Sequence, residues 1–156
     1  MNHEDPPAAL RGKTCQVLKI FDGDTLGCDL NGNHHIEKPD EFIRLIGIDA
    51  PEMHYSRKNK QGKDQPYALE ATNFLKKNTL KRVVYLEMDK RPKDRYGRLL
   101  AYLYLSPTAP FSLNELLLQQ GYAEILFIAP NVKYQQRFET QQAQAKTAKK
   151  GIWQAG

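Results

Sequence analysis

Thr14-Cys15-Gln16-Val17-Leu18-Lys19-Ile20-Phe21-Asp22-Gly23-Asp24-Thr25-Leu26-Gly27-Cys28-Asp29-Leu30 is the stretch on which the fold turns. Its first half alternates: Thr14, Gln16, Leu18 and Ile20 fall on one side of an extended chain, Cys15, Val17 and Lys19 on the other. Asp22-Gly23-Asp24 signals a turn, and 25–30 reads as the returning strand. The product is a β-hairpin whose tip carries carboxylates. Side chains at such a tip project from a rigid ribbon rather than from a loose loop.

Working outward, residues 31–41 are polar and contain Asn-Gly and a proline, so they predict a loop or a long hairpin tip. Residues 42–48 form a further buried-strand candidate, and 53–64 read as an exposed loop rich in Lys and Arg. Pro66 suits the first position of a helix, with Leu69, Asn73, Phe74 and Lys77 at helical spacing. Strands are expected over 82–88 and 99–105, joined by a charged turn at 94–98. Ser112-Leu113-Asn114-Glu115 fits a capping box opening a helix over 113–120, which Gly121 ends as a left-handed cap. A short strand at 125–128 and a surface helix over 132–150 complete the chain. Three strands, a helix, two strands, a helix, a strand and a helix, with no repeat and no linker, make one α+β domain. A small twisted barrel with helices packed to one side is the architecture implied. The domain is assigned to 13–154, with 1–12 as a flexible N-terminal segment.

The 156 residues suffice for one domain with a real core. No run approaches the roughly 18 apolar residues of a membrane span. Net charge is +5, from 23 Lys and Arg against 18 Asp and Glu. That excess favours a polyanionic partner, although a solvated basic surface has the same charge. Residues 1–10 are polar, acidic and proline-containing, without the apolar run of a signal peptide. Either the protein is cytoplasmic or a leader has been removed.

Chemistry concentrates in Asp22-Gly23-Asp24-Thr25, in Arg44-Leu45-Ile46-Gly47-Ile48-Asp49-Ala50-Pro51-Glu52, and in Asp94-Arg95-Tyr96-Gly97-Arg98. Asp24, Asp49 and Glu52 are hard oxygen donors suited to Ca²⁺ or Mg²⁺. Arg44 and Arg98 are planar forks that match phosphate oxygens and stay charged at any working pH. A metal, two forks and a free carboxylate are what phosphodiester hydrolysis requires. Singly, an Asp-Gly-Asp is an ordinary turn and 94–98 a plain hairpin; their joint occurrence points to the site.

These strings, with Asn114-Glu115-Leu116-Leu117, Gly121-Tyr122-Ala123, Ala143-Gln144-Ala145-Lys146 and Gly151-Ile152-Trp153, resemble the signature set of the staphylococcal nuclease family. The resemblance runs from Lys13 to Gln154 with the motifs in order. It implies an OB-fold, a five-stranded β-barrel with three packed α-helices, and Ca²⁺-dependent hydrolysis of DNA and RNA to 3′-phosphate products. By match, Asp24 and Asp49 are metal ligands through their carboxylates and Ala50 through its backbone carbonyl, where a threonine is common. Glu52 matches the glutamate drawn as general base, and Arg44 and Arg98 the phosphate-clamping arginines. Arg95 and Tyr96 match turn positions that contact substrate; a turn tyrosine covering the barrel edge is the alternative for Tyr96. Two departures stand out. Arg44 follows Asp24 by 20 positions, more than is usual, with the extra residues around Asn33 to Asp40. Phe127 stands where a tyrosine is often found. The basic residues Arg57, Lys58, Lys60 and Lys63 are expected to steer substrate.

Cys15 and Cys28 lie at nearly equal distances from the hairpin turn, so a disulfide between the first two strands is one expectation and two buried thiols the other. A disulfide suits a secreted or periplasmic enzyme. His3, His34, His35 and His54 are assigned no catalytic role. The expected partners are DNA, RNA or both, with no membrane and no obligate protein partner, and monomer is the default. A non-catalytic nucleic-acid-binding module is the competing function. Its degenerate members lose metal acids or arginines, whereas here all five positions are filled. A general binder of anionic ligands would leave the paired acids unexplained.

Overall fold

The computed structural model describes residues 12–53 and 64–154. Residues 1–11, the proposed steering residues Arg57, Lys58, Lys60 and Lys63, and His3 and His54 lie outside the described residues.

The hairpin forms as β1 (Lys13–Asp22) and β2 (Thr25–Asp29), paired antiparallel. Strict alternation fails midway. The register slips between Val17 and Lys19, and the buried series runs Cys15, Val17, Ile20. A bulge inserts one residue, which keeps the Lys19 ammonium outside and brings Ile20 into the core. Cys15 and Cys28, both buried, are joined by a disulfide across this hairpin, with Cα atoms 5.5 Å apart.

The strand expected over 42–48 is two strands, β3 (Phe42–Leu45) and β4 (Gly47–Asp49). Gly47 adopts φ +82, and a Cβ there would lie 2.6 Å from Phe127 and 2.8 Å from Phe138. Only glycine permits both the left-handed turn and the close approach. The chain therefore leaves the barrel at Ile46, and β4 pairs instead with β7 (Glu124–Leu126).

With β5 (Val83–Glu87) and β6 (Leu99–Tyr104), the main sheet closes in the order β1-β2-β3-β6-β5, and β5 returns to β1. The β3–β6 pair is parallel and the others antiparallel. This is the five-stranded OB-type barrel with three helices expected above. Its inside is filled by Leu26, Ile43, Leu45, Leu86 and Leu103, each at most 1% exposed.

Helix α1 (Ala68–Thr79) starts two residues after Pro66, behind Tyr67 in a left-handed conformation at φ 68. Its buried face is Ala68, Ala71, Thr72, Leu75 and Thr79, whereas Leu69 is 52% exposed and Asn73 and Lys77 face outward. The hairpin tip dictates this rotation. A Cβ on Gly23 would lie 2.7 Å from Ala71 Cβ and 2.8 Å from Ala50 Cβ, so only small side chains fit between helix and turn. The capping box opens α2 (Leu113–Gln119) with both reciprocal bonds made, and Gly121 follows at φ +73.

Helix α3 is Gln135–Thr147, shorter than the 132–150 expected. The preceding residues are committed elsewhere. The Asn131 side chain exchanges hydrogen bonds with the Arg91 backbone, and the Lys133 amide donates to Asp89. The buried Glu115 carboxylate locks α2 to α3 by accepting from Arg137 Nε and Gln141 Nε2.

Candidate active site

Three chain segments meet at one end of the barrel. The turn before β2 supplies Asp24, the pairing Thr25↔Arg44 sets Arg44 beside it, and β4 supplies Asp49. Asp24 is 3% exposed. Its Oδ2 accepts the Ala50 amide at 2.8 Å, and its Oδ1 accepts the Thr25 hydroxyl at 3.0 Å. Its own amide donates to Asp22 Oδ1 at 3.1 Å. The Asp24 carboxyl is pushed up to about 6, mainly by burial, with Arg44 pulling down and Asp22 pushing up.

Arg44 is the hub. Its Nη1 donates to the carbonyls of Leu45 at 3.0 Å and Ile48 at 2.9 Å. Nη1 also lies 3.4 Å from Asp24 Oδ2, and Nη2 lies 3.6 Å from Asp49 Oδ1. Two backbone carbonyls and two carboxylates thus fix the plane of the guanidinium, and the twist of the chain at Gly47 is what brings the Ile48 carbonyl to it.

Glu52 follows β4. Its amide donates to Gln65 Oε1 at 2.7 Å, and its carbonyl accepts the Gln65 amide at 2.9 Å. The Asp22 carboxyl is raised, chiefly by burial and also by the neighbouring Glu52 carboxyl. Asp22 and Gln65 thus adjoin these groups, though motif reading gave neither a role of its own. Asp22 was visible only as half of a turn, and Gln65 lies beyond the segment that separates it from Glu52.

Arg98 stands on the 94–98 turn, immediately before β6. Arg44 pairs with Leu100 across the parallel β3–β6 ladder, so Arg98, two residues before Leu100, shares the face of Arg44. Asp94 organises the turn: its Oδ1 accepts the amides of Tyr96 and Arg98, and its Oδ2 accepts Arg98 Nε at 2.8 Å. Asp94 is a further positioning residue, signalled by an acid four residues before an arginine across a Gly turn. Tyr96 is 45% exposed, with the guanidinium carbons of Arg95 and Arg98 at 4.9 and 5.5 Å from its ring centroid. Arg95 Nη2 donates to the Tyr96 hydroxyl at 2.7 Å. A half-exposed aromatic beside two cations is the combination with which single strands are commonly held.

Phe127 is turned inward, its ring 5.2 Å from that of Phe138 and against Gly47. Partly buried, it packs between β7 and α3. His34 and His35 are exposed in the 31–41 loop, away from these carboxylates in sequence and strand placement.

The donors available to a cation are hard: the carboxylates of Asp24 and Asp49 and the backbone carbonyl of Ala50. A buried carboxyl held near 6 by desolvation is one that a divalent cation relieves on ionisation, so the residues fit an oxygen-seeking ion. Among the described residues no group of three or more His, Cys, Asp or Glu is clustered to hold a metal.

The family described as staphylococcal nuclease homologue matches residues 42–155. The chain is 40% identical over 141 residues to a thermonuclease of Staphylococcus hyicus, covering 90% of this chain and 76% of that protein. It is 37% identical over 145 residues to a thermonuclease of Staphylococcus intermedius, covering 93% and 79%. The endonuclease YncB of Bacillus subtilis is 33% identical over 137 residues, covering 86% of this chain and 59% of that protein. The fold and its site define a nuclease, a hydrolase of the phosphodiester class. The chain belongs to the staphylococcal nuclease family.

Proposed function

We propose that the chain hydrolyses DNA, RNA or both, with Ca²⁺, to products ending in 3′-phosphate. The observation that carries this reading is the guanidinium of Arg44, held by two carbonyls and two carboxylates at the barrel end where Asp24 and Asp49 meet. Asp24, Asp49 and the Ala50 carbonyl would hold the cation. A bound cation supplies Lewis-acid stabilisation of charge on a phosphoryl oxygen.

Arg44 and Arg98 face the same side and bind the non-bridging oxygens, where negative charge accumulates as water attacks phosphorus. Glu52 takes the proton of that water. The water oxygen forms the new bond to phosphorus, the bond from phosphorus to the 5′ oxygen breaks, and Arg98 supports the charge on the departing oxygen until it is protonated. Phosphate stays on the 3′ side. Arg95 and Tyr96 contact the neighbouring nucleotide, the ring by stacking and the cation by charge.

The disulfide supports an exported, oxidising compartment. Among the described residues no helix is long and apolar enough to cross a membrane. We take the enzyme as one domain over 13–154 acting as a monomer.

The test is cleavage of single-stranded DNA with Ca²⁺, with Mg²⁺ or with excess chelator, alongside Arg44→Ala. Calcium-dependent cleavage to 3′-phosphate ends, lost in the variant, is the expected result. Salt-sensitive binding without cleavage under any metal would make the protein a nucleic-acid-binding module instead.

A further inference from the structure

The loop 31–41 lengthens the span between Asp24 and Arg44, and it is built as a firm object. Asp29, 5% exposed, accepts the amides of Asn31, Gly32 and His34 at its near end. Glu41, 3% exposed, accepts the amides of Leu30 and Glu37 at its far end. The Pro39 carbonyl accepts the Phe42 amide at 2.9 Å, which ties Pro39 to the first residue of β3.

Pro39 meets the turn that carries Arg98. A Cβ built on Gly97 would lie 2.7 Å from Pro39 Cγ, so the pyrrolidine ring sits over the bare Gly97 backbone. Next to it, Asp40 Oδ1 lies 3.4 Å from Lys93 Nζ at the foot of the same turn. Within the turn, Asp94 ties the amides of Tyr96 and Arg98 and the Arg98 guanidinium to one another, so the segment moves as a unit. What remains to be set is where that unit stands relative to the barrel.

We propose that the 31–41 loop is a positioning element for Arg98: Pro39 on Gly97, with Asp40 on Lys93, holds the 94–98 turn where its guanidinium meets the phosphate. This rests on the role of Arg98 proposed above. Pro39 and Asp40 are positioning residues acting through Arg98 and touch no substrate. A misplaced clamp loses rate while the rest of the site still binds, so the effect falls on kcat.

The test uses Pro39→Ala in the full chain. On single-stranded DNA with Ca²⁺, kcat falls about tenfold with KM nearly unchanged. In an Arg98→Ala background the same substitution lowers kcat no further. By NMR hydrogen exchange, the amides of Tyr96 and Arg98 exchange faster in Pro39→Ala, while those of the β1–β2 hairpin do not. An equal fall in both backgrounds, or unchanged exchange at Tyr96 and Arg98, overturns the proposal. Should Pro39→Ala not fold, Asp40→Lys and the paired Asp40→Lys, Lys93→Asp replace it. The single change speeds exchange at Tyr96 and Arg98 and the reversed pair restores it; no change in either overturns the proposal. If the unaltered protein cleaves nothing with any metal, the nuclease reading fails by itself, and the exchange measurement still decides the loop.

Discussion

Arg44 and Arg98 share a face of the sheet but are held by different constructions. Arg44 stands inside a strand of the closed sheet, its guanidinium gripped by backbone carbonyls of Leu45 and Ile48 and flanked by two carboxylates. Arg98 precedes its strand, on a turn where the Asp94 carboxylate four residues away anchors the guanidinium. One is fixed by the fold as a whole, the other by local turn chemistry backed by a neighbouring loop. Substitutions at Arg44 therefore disturb donors and acceptors together, and substitutions around Arg98 change placement alone.

The largest expected effect is that of Arg44→Ala. Losing a preorganised donor at the phosphoryl oxygen lowers kcat by about 10²–10³-fold, and Arg44→Lys does not restore it, because one ammonium cannot serve two carbonyls and two carboxylates. Steady-state cleavage of a defined oligonucleotide measures this. A lysine variant with near-normal kcat would show that the fork geometry of Arg44 is immaterial.

Asp94→Asn comes next, with a fall in kcat of roughly tenfold and a small change in KM. Asparagine keeps the acceptor oxygen for the amides of Tyr96 and Arg98 but loses the charge that orients the guanidinium. If KM rises and kcat holds, Asp94 contributes to substrate binding and the contrast between the two arginines narrows.

The third effect is one of pH and belongs to the Asp24 side. Its carboxyl is raised in the native state to about 6 from the ordinary 3.8, chiefly by burial. The native protein thus holds this proton more tightly than the unfolded chain. Without metal, stability declines as pH rises from about 4 to about 6 and is level above that, as far as this group is concerned. Cation binding needs the ionised form, so Ca²⁺ affinity falls about tenfold per pH unit below 6. Calorimetric titration with Ca²⁺ at pH 5, 6 and 7 checks the affinity, and metal-free thermal melts check the stability. A flat affinity across that range would remove Asp24 from the cation site.

The smallest expected change in activity at room temperature follows reduction of Cys15–Cys28. The bond spans a sequence separation of 13, and opening so short a loop costs about 2–3 kcal/mol of stability. The hairpin tip is separately fixed by Gly23 against Ala50 and Ala71, so Asp24 keeps its place. Melting with and without reductant, beside kcat under both conditions, separates the two contributions. A large loss of kcat on reduction would mean that the disulfide shapes the site.

Short-range patterns explain how much of this was legible. The hairpin, the Ser112 capping box and the Gly121 stop each depend on residues a few positions apart, and each stands where the sequence puts it. Asp24, Arg44 and Asp49 also come together as their motifs suggested, because the β2–β3 register and the turn into β4 bring them there. The buried face of α1 was not legible, because helical spacing alone does not say whether Leu69 or Leu75 turns to the core. The fit of Ala71 against Gly23 settles that choice. The break between β3 and β4 was hidden for a similar reason: Gly47 is required by Phe127 and Phe138, which lie far along the chain.

By itself, the sequence determined the hairpin with its acidic tip, the helix boundaries set by caps, and the residue types gathered at the site. These follow from backbone preferences and from the chemistry of each side chain. The tertiary structure alone decided that Asp24 is buried enough to hold its proton to about 6, that Phe127 packs on Phe138 and Gly47, and that Pro39 rests on Gly97. Desolvation and steric contact depend on which atoms surround a group, and those atoms come from segments that only folding brings together.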